Sequence, residues 1–246
     1  MSGHSKWNNI KRKKEKTDAQ RAKVFTKVGK EITVAVNEGG PDPNNNGKLR
    51  DVIAKAKAAN VPNENIERII KKAAGSDKTN YESITYEGYG AGGIAVIVET
   101  LTDNRNRTAA DIRHYFDKYG GNLGTTGCVS FMFTRSGIIS LNVEGKDLDA
   151  VMDDVLEAGA SDVNFDEEGV AVVTTEPNDL RTVREYLEGK GYTYDSAEIE
   201  YVPSNYTRID DPDTLKNLGV MFEHLDDCDD VQDYWHNLEN EDDLPD

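Results

Sequence analysis

The sequence predicts an α+β fold: an N-terminal three-helix bundle followed by two small α/β sandwich modules, at least one of them ferredoxin-like (βαββαβ). Three observations carry this. Between residues 18 and 75 apolar side chains recur at steps of three and four, the period of a helix with one buried face. Beyond residue 80 the pattern changes to short strand-like runs alternating with helical ones, separated by glycine turns. From Gly137 to Val202 the order reads β-α-β-β-α-β, the split arrangement of ferredoxin-like modules, with helices on one side of an antiparallel sheet. A chain of 246 residues is long enough for more than one core.

The first helix starts near Asp18, a good N-cap, and runs to about Asn37, where Glu38-Gly39-Gly40-Pro41 stops it. Phe25, Val28, Ile32 and Val36 form its core stripe. On the opposite side Lys23, Lys27 and Lys30 fall within about 60° of one another. A loop around Asn44-Asn45-Asn46-Gly47 leads to a second helix, Lys48 to Ala59, with Leu49, Val52, Ile53 and Ala56 inward. Pro62 opens and Gly75 closes a third, with Ile66, Ile69, Ile70 and Ala73 inward and Arg68, Lys71 and Lys72 on the reverse.

After the spacer, Tyr81 to Glu87 and Gly93 to Leu101 read as a hairpin around Gly88–Gly92, and Thr108 to Tyr119 as a helix with Ala109, Ile112 and Phe116 inward. Val129 to Phe133 and Gly137 to Val143 read as two further strands. A helix from Asp147 to Ala158, strands near Asp162 to Phe165 and Val170 to Thr174, a helix from Asn178 to Glu188 and a strand from Thr193 to Val202 follow. The expected domains are 1–77, the basic arm and bundle; 78–135 with 203–246, an α/β module completed by acidic C-terminal helices including Asp213 to Leu225; and 136–202, an inserted ferredoxin-like module.

Charge is divided unevenly. The formal net charge is −17, yet residues 1–80 hold 18 Lys and Arg against 9 Asp and Glu, while from Asp210 onward one basic residue faces 14 acidic ones. A basic head on an acidic body points to a polyanionic partner for the head. The cations that suit phosphate neutralisation are Lys6, Lys11, Arg12, Lys13, Lys14 and Lys16 in the arm, Arg21, Lys23, Lys27 and Lys30 on the first helix, and Arg68, Lys71 and Lys72 on the third. Trp7, amid the arm cations, suits stacking on an unpaired base or packing against the bundle. Few Asn, Gln or Arg are arranged to read base edges, so backbone contact is better supported than sequence reading. The acidic tail reads as a solvating, repulsive segment.

Other chemistry is sparse. The longest aliphatic run, Ile94 to Val98, is far too short to span a membrane, and the polar, basic N-terminus lacks the apolar core of a secretory signal. Two distant cysteines, Cys128 and Cys228, fit a reducing, cytoplasmic setting. Gly88, Gly90 and Gly93 satisfy G-x-G-x-x-G, but a strand follows where a dinucleotide site needs a helix, so they read as a hairpin turn. Gly120-Gly121-Asn122-Leu123-Gly124 reads as a C-cap and turn. In Asp103-Asn104-Arg105-Asn106-Arg107-Thr108, Asp103, Asn106 or Thr108 can cap the following helix. Arg105 and Arg107 can form internal salt bridges or hold a phosphate at the helix N-terminus. The four histidines are scattered and no zinc-ligand spacing occurs, so no catalytic residue, metal or cofactor is expected.

Gly3-His4-Ser5-Lys6-Trp7-Asn8-Asn9-Ile10-Lys11, Phe25 to Ala35, Tyr86 to Gly93, Leu101 to Thr108 and Gly120 to Gly124 together resemble the YebC/PmpR family, in order and over essentially the whole chain. The resemblance implies a helical bundle with two α/β modules, one set into the other, and a role in gene expression. It implies a cytoplasmic DNA-binding transcriptional regulator or, alternatively, a ribosome-associated translation factor touching rRNA or tRNA. It supplies no catalytic residue. Gly29 within the first helix and the strongly acidic tail depart from the expected pattern. The partner expected is nucleic acid, DNA or rRNA and tRNA, with a protein partner for the acidic modules and no membrane; a monomer is favoured, but the sequence does not fix the oligomeric state.

Overall fold

Asp18–Gly39 forms helix α1, Gly47–Ala58 helix α2 and Asn63–Ala73 helix α3 in the computed structural model, which describes residues 18–75, 79–166 and 169–245. Val28, Ile32 and Val36 of α1 meet Leu49, Val52 and Ala56 of α2 and Ile66 and Ala73 of α3 in one buried cluster, with Phe25, Ile53, Ile69 and Ile70 against its edge. The helical period thus sorts the bundle core correctly. Asn46 fixes the α1–α2 corner: its side chain accepts from Leu49 N as the α2 N-cap and donates to the carbonyls of Ala35 and Gly40 at 2.7 and 2.8 Å. A Cβ at Gly39 would lie 2.6 Å from that amide, so the corner needs glycine there. At Gly29 a Cβ would sit 3.4 Å from Ile69 Cδ1, in ordinary contact.

The first sheet runs β3-β1-β2-β8, all neighbours antiparallel: β1 is Glu82–Tyr89, β2 Ala95–Thr102, β3 Asn122–Leu123 and β8 Val231–His236. The β1–β2 hairpin turns through Gly90 to Gly93, with Gly90 N donating to Ile94 O at 2.7 Å and Gly92 and Gly93 at positive φ. Gly90 and Gly93 therefore serve the turn, whereas Gly88 lies within β1, opposite Val96 and Leu123. Helix α4, Arg105–Lys118, and helix α7, Pro212–Asp227, cover one face: Ile112 and Phe116 pack with Leu218, Met221 and Leu225 against Val96 and Val98. Gly120 at φ 79 ends α4, and Gly121 N donates to Phe116 O at 2.8 Å, the C-cap expected there, but Asn122 and Leu123 leave the turn and pair with β1 as β3.

The second sheet runs β5-β6-β4-β7, from β4 Phe133–Asn142, β5 Asp162–Phe165, β6 Val170–Thr175 and β7 Thr193–Pro203, with helices α5 Leu148–Glu157 and α6 Leu180–Gly189 between them. Read in chain order this is βαββαβ with the first and third strands central, a ferredoxin-like sheet. Ile139, Leu141, Val151, Val155, Val173, Val183 and Leu187 form its core. The chain divides into two compact units: the described part of one is Thr134–Val202, and the other spans Lys16–Phe133 with Pro203–Asp246.

Two expectations fail locally. Val129 to Phe133 is not a separate strand: Ser130–Met132 is a 3-10 turn, and Phe133 begins β4. The cause is Glu87, a buried carboxylate at the end of β1, which accepts from Gly127 N, Val129 N and Ser130 N at 2.9, 3.0 and 2.8 Å. Those amides are unavailable to a sheet, and Phe131 is left 76% exposed. The C-terminal segment is not only helical either. After α7 the chain enters the sheet as β8 through the acidic turn Asp226 to Asp230.

Candidate nucleic-acid interface

Charge follows the helix faces, but not as expected on α1. Lys6, Trp7, Lys11, Arg12, Lys13, Lys14 and Lys16 lie outside the described residues, and Arg21 falls on α1 with its side chain outside them. Lys23, Lys27 and Lys30 point away from the bundle core, as their spacing requires, yet they do not form a solvent wall. Lys23 pairs with Asp227. Lys27, only 8% exposed, donates to Asp226 O at 3.3 Å. Lys30 donates to Asp230 Oδ1 at 2.6 Å and to the carbonyls of Asp229 and Leu101 at 2.8 and 3.3 Å, and stands 5.6 Å from the Tyr81 ring centroid. Helical spacing alone assigns the side opposite a core stripe to solvent; here a second partner covers it.

That partner is the α7–β8 turn. A helix C-terminus carries unsatisfied carbonyls and the negative end of the macrodipole, so Asp226 and Asp227 in the last turn of α7 would alone be unfavourable. The lysines of α1 offset both. The acidic run therefore docks the bundle, where the sequence suggested only solvation.

Asp230 is the centre of this junction. Beyond Lys30 it accepts from Arg107 Nη2 at 2.6 Å, Thr108 Oγ1 at 2.8 Å and Thr102 Oγ1 at 3.2 Å, and its backbone oxygen accepts from Leu101 N at 2.8 Å. Burial alone would raise its carboxyl, but hydrogen bonds from Lys30, Arg107 and Thr108, and the Lys30 charge, hold it down at about 2. Glu87 follows the same logic: burial pushes its carboxyl up, and the three backbone amides with Ser130 bring it below the usual range. Sequence reading missed both carboxylates.

At the start of α4 the cap is Asn104, accepting from Arg107 N at 3.2 Å, instead of Asp103, Asn106 or Thr108. Arg107 bridges Asp103 at 3.0 Å and Asp230, and Arg105 lies 3.4 Å from Glu82, so internal pairing is what both arginines do. Arg107 rises above its ordinary value through the hydrogen bonds it donates to Asp230 and Asp103.

The reverse of α3 differs. Arg68, Lys71 and Lys72 are all exposed. Arg68 donates to Asn65 Oδ1 at 3.2 Å, and none of the three meets a carboxylate among the described residues. Lys48, Arg50 and Lys57 on α2 are also exposed, Lys48 beside Glu38 at 2.7 Å. The bundle thus keeps an open cationic side on α3 while Lys23, Lys27 and Lys30 of α1 are consumed by docking. No described helix is long and apolar enough to cross a membrane.

The geometry can be set beside known proteins. Residues 5–76 match the family model described as the TACO1/YebC protein N-terminal domain, and residues 81–238 that described as the TACO1/YebC second and third domain. A relative from Acetivibrio thermocellus is 56% identical over 239 residues, 96% of this chain and 98% of its own. One from Clostridium botulinum (strain Eklund 17B) is 55% identical over 240 residues, 97% of each. Both carry the name probable transcriptional regulatory protein. A crystal structure of a conserved hypothetical protein from Aquifex aeolicus superposes with a TM-score of 0.81 at 43% identity, over 91% of this chain and 92% of that one. With both family models matched in order and relatives alike over nearly their full lengths, this chain belongs to the TACO1/YebC family, a family of regulatory proteins.

Proposed function

We propose that this protein regulates gene expression in the cytoplasm by binding DNA through its phosphate backbone, without catalysis. The observation that carries the reading is the open side of α3: Arg68, Lys71 and Lys72 are exposed and lack carboxylate partners among the described residues. The arm cations Lys6 to Lys16 belong to the same basic stretch of residues 1–80. Three phosphate contacts give a log-log salt slope of roughly −2.7 on duplex DNA. The regulatory name of the relatives supports the transcriptional form of the reading.

A second reading rests on a specific observation: 14 acidic residues from Asp210 onward repel a long duplex, and the exposed α3 face holds few base-reading groups. These features suit a ribosome-associated factor touching rRNA or tRNA and assisting elongation. Polysome sedimentation with and without RNase, beside promoter-fragment binding at physiological salt, separates the two. A sequence-selective footprint with no ribosome association supports transcription. RNase-sensitive co-migration with ribosomes, and no preference for promoter over random duplex, replaces it with translation.

A further inference from the structure

The helix α5 carries an apolar row that the core does not use. Val151 and Val155 face the sheet, fully buried. Leu148, Met152 and Leu156, at i, i+4 and i+8, lie beside them on the same helix yet are 46%, 40% and 54% exposed. Next to this row runs a second with the same spacing, Asp149, Asp153 and Glu157, all exposed. Asp149 and Asp153 form no ion pair among the described residues; Glu157 shares Lys190 with Asp154 from the far side, at 3.4 and 2.9 Å. A soluble helix gains nothing from leaving three large apolar side chains in line on its surface, and such rows mark contact sites.

We infer that α5 is a docking face for a partner protein, and that the segment it takes is a basic amphipathic helix. That segment presents an apolar row to Leu148, Met152 and Leu156 and a Lys or Arg row to Asp149, Asp153 and Glu157. Charge complementarity selects this occupant. Nucleic acid and anionic lipid are repelled by the acidic row. A second copy is disfavoured too, because an antiparallel two-fold pairing of α5 with itself sets acidic row against acidic row. The inference does not depend on the nucleic-acid reading, since no α3 residue enters it.

The test uses the full chain and a synthetic 18-residue helical peptide with Leu at i, i+4, i+8 and an adjacent Lys row, against a scrambled peptide of identical composition. Fluorescence anisotropy gives affinity and hydrogen exchange maps the contact. The expected result is saturable binding of the patterned peptide alone, protection over 148–157, and at least a tenfold loss in Met152→Asp and in the Asp149→Lys/Asp153→Lys double variant. Leu156→Ser, the milder variant, keeps the inference testable should Met152→Asp disturb folding. Equal binding of the scrambled peptide, or protection elsewhere, overturns it. So does a wild-type dimer that Met152→Asp converts to monomer, which would place a second copy on this face.

Discussion

Asp230 accepts hydrogen bonds from Lys30 on α1, Thr102 at the end of β2, and Arg107 and Thr108 on α4, so one carboxylate ties three elements together. Removing its charge leaves Lys30, itself mostly buried, uncompensated. Asp230→Asn should cost about 3 kcal/mol, read by urea denaturation at pH 7. The pH dependence follows from the direction of the shift. A carboxyl lowered from 3.8 to about 2 contributes stability that is present above pH ~4 and is lost as pH falls through 2, at most about 2 kcal/mol. Asp230→Asn should lack that loss between pH 4 and 2, and an unchanged acid profile in the variant would rule out the assignment. Gly29 makes the opposite case: it sits mid-helix with room for a methyl beside Ile69, so Gly29→Ala should raise stability by about 0.5–1 kcal/mol in thermal melts.

Among the elements, those with a helical period were readable from the sequence and those decided by a distant polar group were not. The cores of α1, α2 and α3 follow from apolar spacing alone, as does the ferredoxin-like order of β4 to β7. Val129 to Phe133 has the apolar and aromatic content of a strand, but Glu87, far away in sequence, takes the amides of Val129 and Ser130. β8 was hidden because Val231-Gln232-Asp233-Tyr234-Trp235-His236 lies within the acidic tail, where charge masks the pattern. Glu87→Gln removes the charged acceptor and should cost about 1–3 kcal/mol, with faster amide exchange over 124–130 as the specific sign. Unchanged exchange there would mean that the loop holds itself. The direction of the α1 lysines was half readable: their spacing puts them on one face, but only tertiary structure shows that an acidic turn occupies it.

For the whole molecule, the uneven charge does two jobs at once. Among the described residues, Lys23 and Lys30 are matched internally by the turn Asp226 to Asp230, and Arg68, Lys71 and Lys72 on α3 face outward. Lys30→Glu should therefore lower the melting temperature by several degrees, because it sets a carboxylate against Asp230. Reversing Arg68, Lys71 and Lys72 together should lower melting by only a few degrees, the cost of placing carboxylates in the last turn of α3, because none of the three meets a carboxylate among the described residues. The most direct test of this division is the salt dependence of duplex binding by that α3 triple reversal. The expected result is a log-log slope shallower than the wild type's by about 2–3, in a variant that still melts cooperatively as a folded protein. An unchanged slope and affinity would contradict the account, since the open side of α3 would then carry none of the phosphate contact.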